Sequence, residues 1–369
     1  MKRCAPYLRI VAFVAIVVLS VSGLDYLLAP SGYIRYLMHQ VTESDQNMDL
    51  IFLGASHTRS AINPQPVADK LNVNAYSLGI PGETVLDSYY LTEQALEHND
   101  IKTVVYDADF QYWIIPQMSG QVYQSFVYSQ LQSPKIKLEY IKNNRNTMEF
   151  RTVIGHRSSY DMSLSGIKQN LSMKKSAEYK NYSIDGALTP DANGPYVGRG
   201  FFLRELSGNE PGGKDFVVQT YAQCHEPLTD SAKDAFARIK ALCDEKGIEL
   251  IAVTSPIDPT ACEVIDMQFQ HDQLNAFFES QGVKYYDFNM ALETVVPRRD
   301  ADYGDYEGHM GGELTTIYST QLANLLSDVK NGTYDASKYF YSSFADMYAN
   351  MQKDYEKTTG LSWHVGEGA

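Results

Sequence analysis

The sequence predicts an α/β protein: a three-layer α/β/α domain on a mainly parallel sheet, with an inserted cap. Two observations predict it. Short apolar or β-branched runs alternate with helical-period segments before residue 110, and the same rhythm resumes after residue 229. The first strand-like run, residues 49–53, stops at Gly54 and leads into Ala55-Ser56-His57-Thr58. That break places a hydroxyl at the C-terminal end of a buried strand, where open α/β sheets bind their ligands.

Residues 1–29 read as a targeting segment. Lys2, Arg3 and Arg9 flank residues 10–24, which carry no charge. Those residues alone make about 22 Å of helix at ~1.5 Å per residue. Continuing through Tyr26-Leu27-Leu28 gives a feasible single-pass anchor, with Asp25 at the outer interface. The basic flank keeps the N-terminus inside and puts everything after residue 30 outside the cytoplasm. Secretion after cleavage is the alternative, because Ser20-Val21-Ser22 has the small-x-small pattern of a signal-peptide site.

The α/β domain is expected over 47–328. After the first strand come a short helix at 66–71 and a brief strand at 74–79. The latter ends in the turn Ile80-Pro81-Gly82. A helix at 85–98 and a strand at 101–106, ending at Asp107, complete the first half. Residues 111–228 break the rhythm with turn clusters and Ser, Asn and Gln, and predict a cap of helices and irregular loops. The second half predicts a helix at 229–246, a strand at 248–253, a helix at 264–280, a strand at 283–286 and a closing helix at 313–329. Residues 330–369 form an aromatic and acidic tail that either packs over the domain or is partly mobile.

Composition narrows the function classes. With 44% hydrophobic and 21% charged residues, the 369-residue chain is an ordinary folded protein. A net charge of −14 argues against nucleic acid as a partner. The one basic stretch, residues 135–151, reads as a solvated helix face. Cys4, Cys224, Cys243 and Cys262 form no disulfide framework, although an exported domain could pair Cys224 with Cys262. Cys224-His225 lacks a second ligand at metal-site spacing, so neither metal nor cofactor is predicted.

Ser56 is the candidate nucleophile, and a serine needs a base to take its proton. Read alone, it is equally a turn serine capping the next helix. Asp305-Tyr306-Glu307-Gly308-His309 supplies the base, in an acidic, Gly-containing turn before the closing helix. Asp305 would orient the imidazole, with Glu307 as the alternative acid. His57 and Arg59 would lie beside the pocket. His57 could bind substrate oxygens or make a supporting hydrogen bond. Arg59 could hold an anionic sugar or phosphate, or pair with Asp107 or Asp109. Tyr112 and Trp113 are candidates for a glycan wall, with cap packing as the competing role. Asp107 and Asp109 share a face if extended and resemble a glycosidase pair, but nothing else in the chain supports that reading.

Together these residues resemble the SGNH hydrolase superfamily, the GDSL-like esterases and acyltransferases. Gly54-Ala55-Ser56-His57 is similar to the family's nucleophile block. Ser77-Leu78-Gly79-Ile80-Pro81-Gly82 is similar to its second block, which implies that the N–H groups of Ser56 and Gly79 form the oxyanion hole. Two departures stand out. The third block's asparagine is missing, with Asp107-Ala108-Asp109 in its place, and Tyr306 stands three residues before His309 where the family has aspartate. The resemblance covers 47–110 and 229–328. It implies acyl transfer or ester hydrolysis, most simply of acetyl, on a cell-surface glycan or other acylated envelope polymer. It also implies work beside a multi-pass membrane acyltransferase. The departures keep a second class open, a non-catalytic envelope protein that binds glycan or such a partner.

Overall fold

The computed structural model describes residues 5–29, 32–43, 45–115, 124, 127–128, 130–149, 160–182, 195–204, 206, 225–265, 267–305 and 308–363. The chain divides into two compact units. One comprises Met1–His39 with Met118–Thr189, and the other Gln40–Gln117 with Pro190–Ala369. Of the insertion expected at 111–228, residues 118–189 fall in the first unit and 111–117 and 190–228 in the second.

Seven strands are present among the described residues: β1 (Leu50–Leu53), β2 (Ala75–Ser77), β3 (Thr103–Asp107), β4 (Tyr196–Gly198), β5 (Phe201–Phe202), β6 (Glu249–Thr254) and β7 (Lys284–Asp287). Five form one sheet in the order β2-β1-β3-β6-β7, every pair parallel. β4 and β5 form a separate antiparallel hairpin. The central strands are buried on both faces, as parallel strands between helical layers must be. The order reverses at β1/β3, and the carboxyl ends of those two strands define the crevice of a doubly wound sheet.

Alternate strand residues feed the two layers. Leu50, Phe52, Val105, Ile251 and Val253 belong to one core cluster with Ile62, Val67, Leu314, Tyr318 and Leu322. Of the last five, Ile62 precedes α4 (Pro64–Leu71), Val67 lies within it, and the other three come from α13 (Gly312–Asn331). Truncating a fully buried Phe such as Phe52 costs ~3–5 kcal/mol. The opposite face carries α5 (Val85–Leu96), α10 (Asp230–Lys246) and α12 (Met267–Ser280), where the Phe236 ring stands 5.3 Å from Tyr106 and 5.0 Å from Phe278. Caps set the helix limits. Thr84 and Asp87 make a capping box at the start of α5, and Thr229 accepts from the Ala232 N–H at the start of α10.

The remaining helices are α1 (Ala5–Leu28), α2 (Tyr33–Glu43), α3 (Ser56–Ala61), α6 (Gln111–Ile114), α7 (Pro134–Asn144), α8 (Leu164–Lys175), α9 (Ala177–Lys180), α11 (Pro259–Ile265) and α14 (Phe344–Thr359). The helical segment expected at 264–280 begins earlier, because Pro259 opens α11 five residues before apolar periodicity suggests, ahead of α12. The tail contains an ordered helix, α14, which buries Phe344, Met347 and Tyr355. Cys262 is free and fully buried, so the Cys224–Cys262 disulfide does not form. In the first unit, α1 is long and apolar enough to cross a membrane over Tyr7–Leu28, about 33 Å at ~1.5 Å per residue.

Candidate active site

Ser56 is the first residue of α3, immediately beyond β1 at the switch point. The turn that delivers it depends on Gly54, whose φ is +138°. A Cβ there would stand 2.2 Å from Thr58 Oγ1 and 2.7 Å from the Asp107 carbonyl oxygen, so only glycine fits. The ends of β1 and β3 are tied directly. Thr58 Oγ1 donates to Asp107 Oδ2 at 3.1 Å, and Asp107 also accepts from the Ser255 N–H at 2.8 Å and the Ser255 hydroxyl at 2.6 Å. Burial pushes the Asp107 carboxyl up to about 6, even with the opposing Ser255 hydrogen bonds.

Gly79 lies against the same turn, with the carbonyl oxygens of Gly54 and Ala55 3.1 Å from where its Cβ would be. Its N–H has only a long contact, 3.4 Å, to Ser77 Oγ. The neighbouring N–H groups are committed: Leu78 donates to the Phe52 carbonyl at 2.8 Å and Ile80 to Glu83 Oε2 at 2.9 Å. Glu83, fully enclosed and bonded to the Ser88 hydroxyl, has its carboxyl pushed well up by burial.

His309 sits on a loop closed by the Tyr303–Met310 bridge and by the Gly304 N–H donating to the His309 carbonyl at 2.8 Å. Its Nδ1 is 2.9 Å from both oxygens of Asp305, and its backbone N–H donates to Asp305 Oδ1 at 3.2 Å. Arg204 donates to Asp305 Oδ2 at 2.6 Å. Burial alone would raise the Asp305 carboxyl, but the His309 hydrogen bond and the His309 and Arg204 charges outweigh it and hold it far below the ordinary carboxylate range. For His309, burial and the His57 charge outweigh the attraction of Asp305, and the imidazole lies below its ordinary value of 6.5.

The two loops meet through a pair of rings. The His57 and His309 centroids are 4.6 Å apart, with planes tilted by 31°. His57 Nδ1 is in turn 2.6 Å from Asp109 Oδ2. The candidate crevice therefore holds two Asp–His pairs with their rings in contact, one following Ser56 in the chain and one on the loop before the closing helix.

The sequence-predicted residues divide as follows. Ser56, His57, Gly79, Asp109, Asp305 and His309 gather around the crevice, and Glu307 lies outside the described residues. Arg59 is buried under the hairpin, its guanidinium 4.8 Å from the Phe202 ring centroid. Asp107 is a buried strut between β3, α3 and Ser255. Asp109 bonds His57 instead, so the two carboxylates hold different elements. Trp113 is not a glycan wall. It is fully buried among Tyr106, Phe236, Phe277 and Phe278, because its ring fills the core beside α10 and α12. Tyr112, next to it on α6, is half-buried.

Sequence reasoning missed Arg204, Ser255 and Glu83. Arg204 follows the Gly-Arg-Gly-Phe-Phe-Leu run at 198–203, whose apolar density within a polar insertion was the one available signal. The run braces the site along its length. The Arg199 carbonyl accepts from the Ser77 N–H at 2.8 Å, and the Arg204 carbonyl accepts from the Gly312 N–H at 3.1 Å.

No family model matches the chain, and no curated protein matches it. Among solved structures, the chain is similar to a protein of Bacteroides fragilis NCTC 9343 described as an acylhydrolase. The identity is 12% and the TM-score 0.35, over 82% of this chain and 95% of the other. It is also similar to a GDSL-like lipase from Bacteroides thetaiotaomicron VPI-5482, at 11% identity and TM-score 0.33, over 82% of this chain and all of the other.

Proposed function

We propose that the chain is a serine-dependent acyl transferase or esterase acting on an acylated cell-envelope polysaccharide, with acetyl the simplest acyl group. One observation carries this reading. The ring of His309, gripped by Asp305 through Nδ1, lies 4.6 Å from that of His57, the residue that follows Ser56 at the switch point of the sheet. With Nδ1 held by Asp305, Nε2 is the nitrogen that takes the Ser56 proton as Oγ attacks the acyl carbonyl. His309 then returns that proton to the departing alcohol, leaving an acyl-Ser56 ester. Water as acceptor gives an esterase; a sugar hydroxyl gives a transferase. The N–H groups of Ser56 and Gly79 hold the developing oxyanion. Asp109, in the place of the expected asparagine, turns its carboxylate to His57. In this reading α1 anchors an extracytoplasmic domain, and a multi-pass membrane acyltransferase is the partner that would supply acyl groups.

That same substitution of aspartate for asparagine favours a second reading, a non-catalytic binding module on the same fold. A fluorophosphonate probe separates the two. Mass-spectrometric detection of the adduct on Ser56, abolished in His309→Ala, is the expected result. An unlabelled Ser56 in a protein that still binds envelope glycan would establish the module instead.

A further inference from the structure

The last turn of any helix leaves four carbonyls without intrahelical donors, and at the end of an apolar span these need partners. In α1 all four are accounted for. The Asp25 carbonyl accepts from the Ala29 N–H at 2.9 Å. The Tyr26 carbonyl accepts from Lys174 Nζ at 2.7 Å, and the same amine reaches the Ala29 carbonyl at 2.6 Å. Asn170 Nδ2 donates to the Leu28 carbonyl at 3.1 Å and to that of Leu27 at 3.4 Å. The Asp161 N–H also donates to the Leu28 carbonyl at 3.1 Å, and the Tyr160 hydroxyl bonds the Asp25 carboxylate. A buried cation at a helix C-terminus also complements the dipole. Residues 160–174 thus form a collar around the end of α1.

Two large apolar side chains lie beside this collar and face outward. Met162 is 76% exposed and Leu164 78% exposed, and Met162 directly follows the residue bonded to Leu28. α1 itself exposes Leu24, Tyr26 and Leu27 at the same end. Cleavage after Ser22 would leave a stub of about one and a half turns, too short to hold helical form alone. The collar would lose the helix it caps.

We infer that residues 160–175 seat the chain on the lipid leaflet at which α1 ends, with α1 retained and Met162 and Leu164 immersed in the bilayer interface. The occupant is lipid because the patch continues the apolar surface of a helix long enough to span. The inference rests on the anchor reading of α1, and its test keeps the two apart.

The full chain, in a C4S/C224S background whose other two cysteines are buried, is reconstituted in phosphatidylcholine–phosphatidylglycerol vesicles. An environment-sensitive fluorophore is placed at L24C or at M162C. Blue-shifted emission and quenching by interface-depth spin-labelled lipid are expected at both sites, with M162C reaching at least half the quenching of L24C. K174M, which removes the donor to the Tyr26 and Ala29 carbonyls, is expected to lower quenching at M162C while L24C keeps its own. A water-like M162C beside a quenched L24C overturns the seat and leaves the anchor standing. If the mass of the membrane-extracted chain shows cleavage after Ser22, or L24C is also water-like, anchor and seat fall together.

Discussion

The two Asp–His pairs in the crevice are alike in chemistry and unlike in construction. Asp305 is four residues from His309 on one loop, its side chain is 29% exposed, and it shares its charge with Arg204. Asp109 comes from the end of a different strand, is only 4% exposed, and meets His57 at 2.6 Å. A hydrogen-bonded acid on a surface loop can follow an imidazole as it gains and loses a proton. A carboxylate sealed beneath a strand end fixes its imidazole in place. Under the proposed function, this contrast gives proton transfer to the 305–309 pair and shape to the 57–109 pair. Contact between the rings adds a constraint: two imidazolium ions at 4.6 Å repel, so positive charge on either resists charge on the other.

The largest effects test the assignment itself. Ser56→Ala and His309→Ala are each expected to lower kcat by about 10⁴-fold or more, with little additional loss in the double variant because the residues act as a unit. Steady-state ester hydrolysis, with circular dichroism to confirm folding, measures this. His57→Ala should cost much less, roughly 10- to 100-fold, as expected for misplacement rather than loss of a catalytic group. Equal losses in His57→Ala and His309→Ala would erase the distinction between the pairs. Asp109→Ala should show instead as instability, since leaving a buried polar group without its partner costs ~1–3 kcal/mol. Urea denaturation reads that directly.

Arg204 sharpens the comparison through pH. Its charge is one of the forces that lower His309, so Arg204→Gln should raise the His309 pKa. In the proposed mechanism His309 acts as a base only when neutral, and the acidic limb of kcat/KM should therefore move to higher pH in the variant. In the unaltered protein that limb lies below 6.5. Stability should respond at the other end of the scale. The folded Asp305 carboxyl is held below its unfolded value of 3.8, so its contribution is present above that pH and is lost as pH falls below it. Arg204→Gln should weaken this acid-sensitive component. An unchanged acidic limb would show that Arg204 does not act on His309, and an unchanged acid-stability curve that it does not act on Asp305.

The division between legible and hidden parts follows the same contrast. Every strand of the parallel sheet was readable, because each is a short run closed by Gly, Pro or Asp. Local pattern also put Ser56 just beyond a strand and His309 just before the closing helix, where the structure has them. Asp109 as the partner of His57 was hidden. Its contact spans 52 residues and depends on parallel pairing between β1 and β3, which no local pattern encodes. Arg204 was hidden for a stronger reason. It comes from an insertion with no periodicity and reaches Asp305 across 101 residues. Trp113 misled because a Tyr-Trp pair next to a site has the composition of a sugar platform, whereas tertiary packing turned the indole into the core.

The smallest expected effect concerns Asp107, which ends the strand just before Asp109 and sits even deeper. If depth alone made a carboxylate essential, Asp107 would matter more than Asp109. Its partners indicate otherwise. Thr58 and Ser255 can rotate their hydroxyls, so an asparagine keeps the Ser255 N–H bond through Oδ1 and offers an amide where the acid accepted. Asp107→Asn is therefore expected to change kcat by no more than about 3-fold, on the scale of a conservative buried exchange. Its signature lies in stability against pH. The folded carboxyl titrates at about 6 against an unfolded value of 3.8. Between those values the unfolded chain gives up its proton before the folded chain does, so stability declines as pH rises through this window and then levels off. Asparagine cannot titrate, and chemical denaturation at a series of pH values should show that decline removed. A large loss of activity with an unchanged pH–stability curve would instead place Asp107 in the chemistry, beside the two pairs.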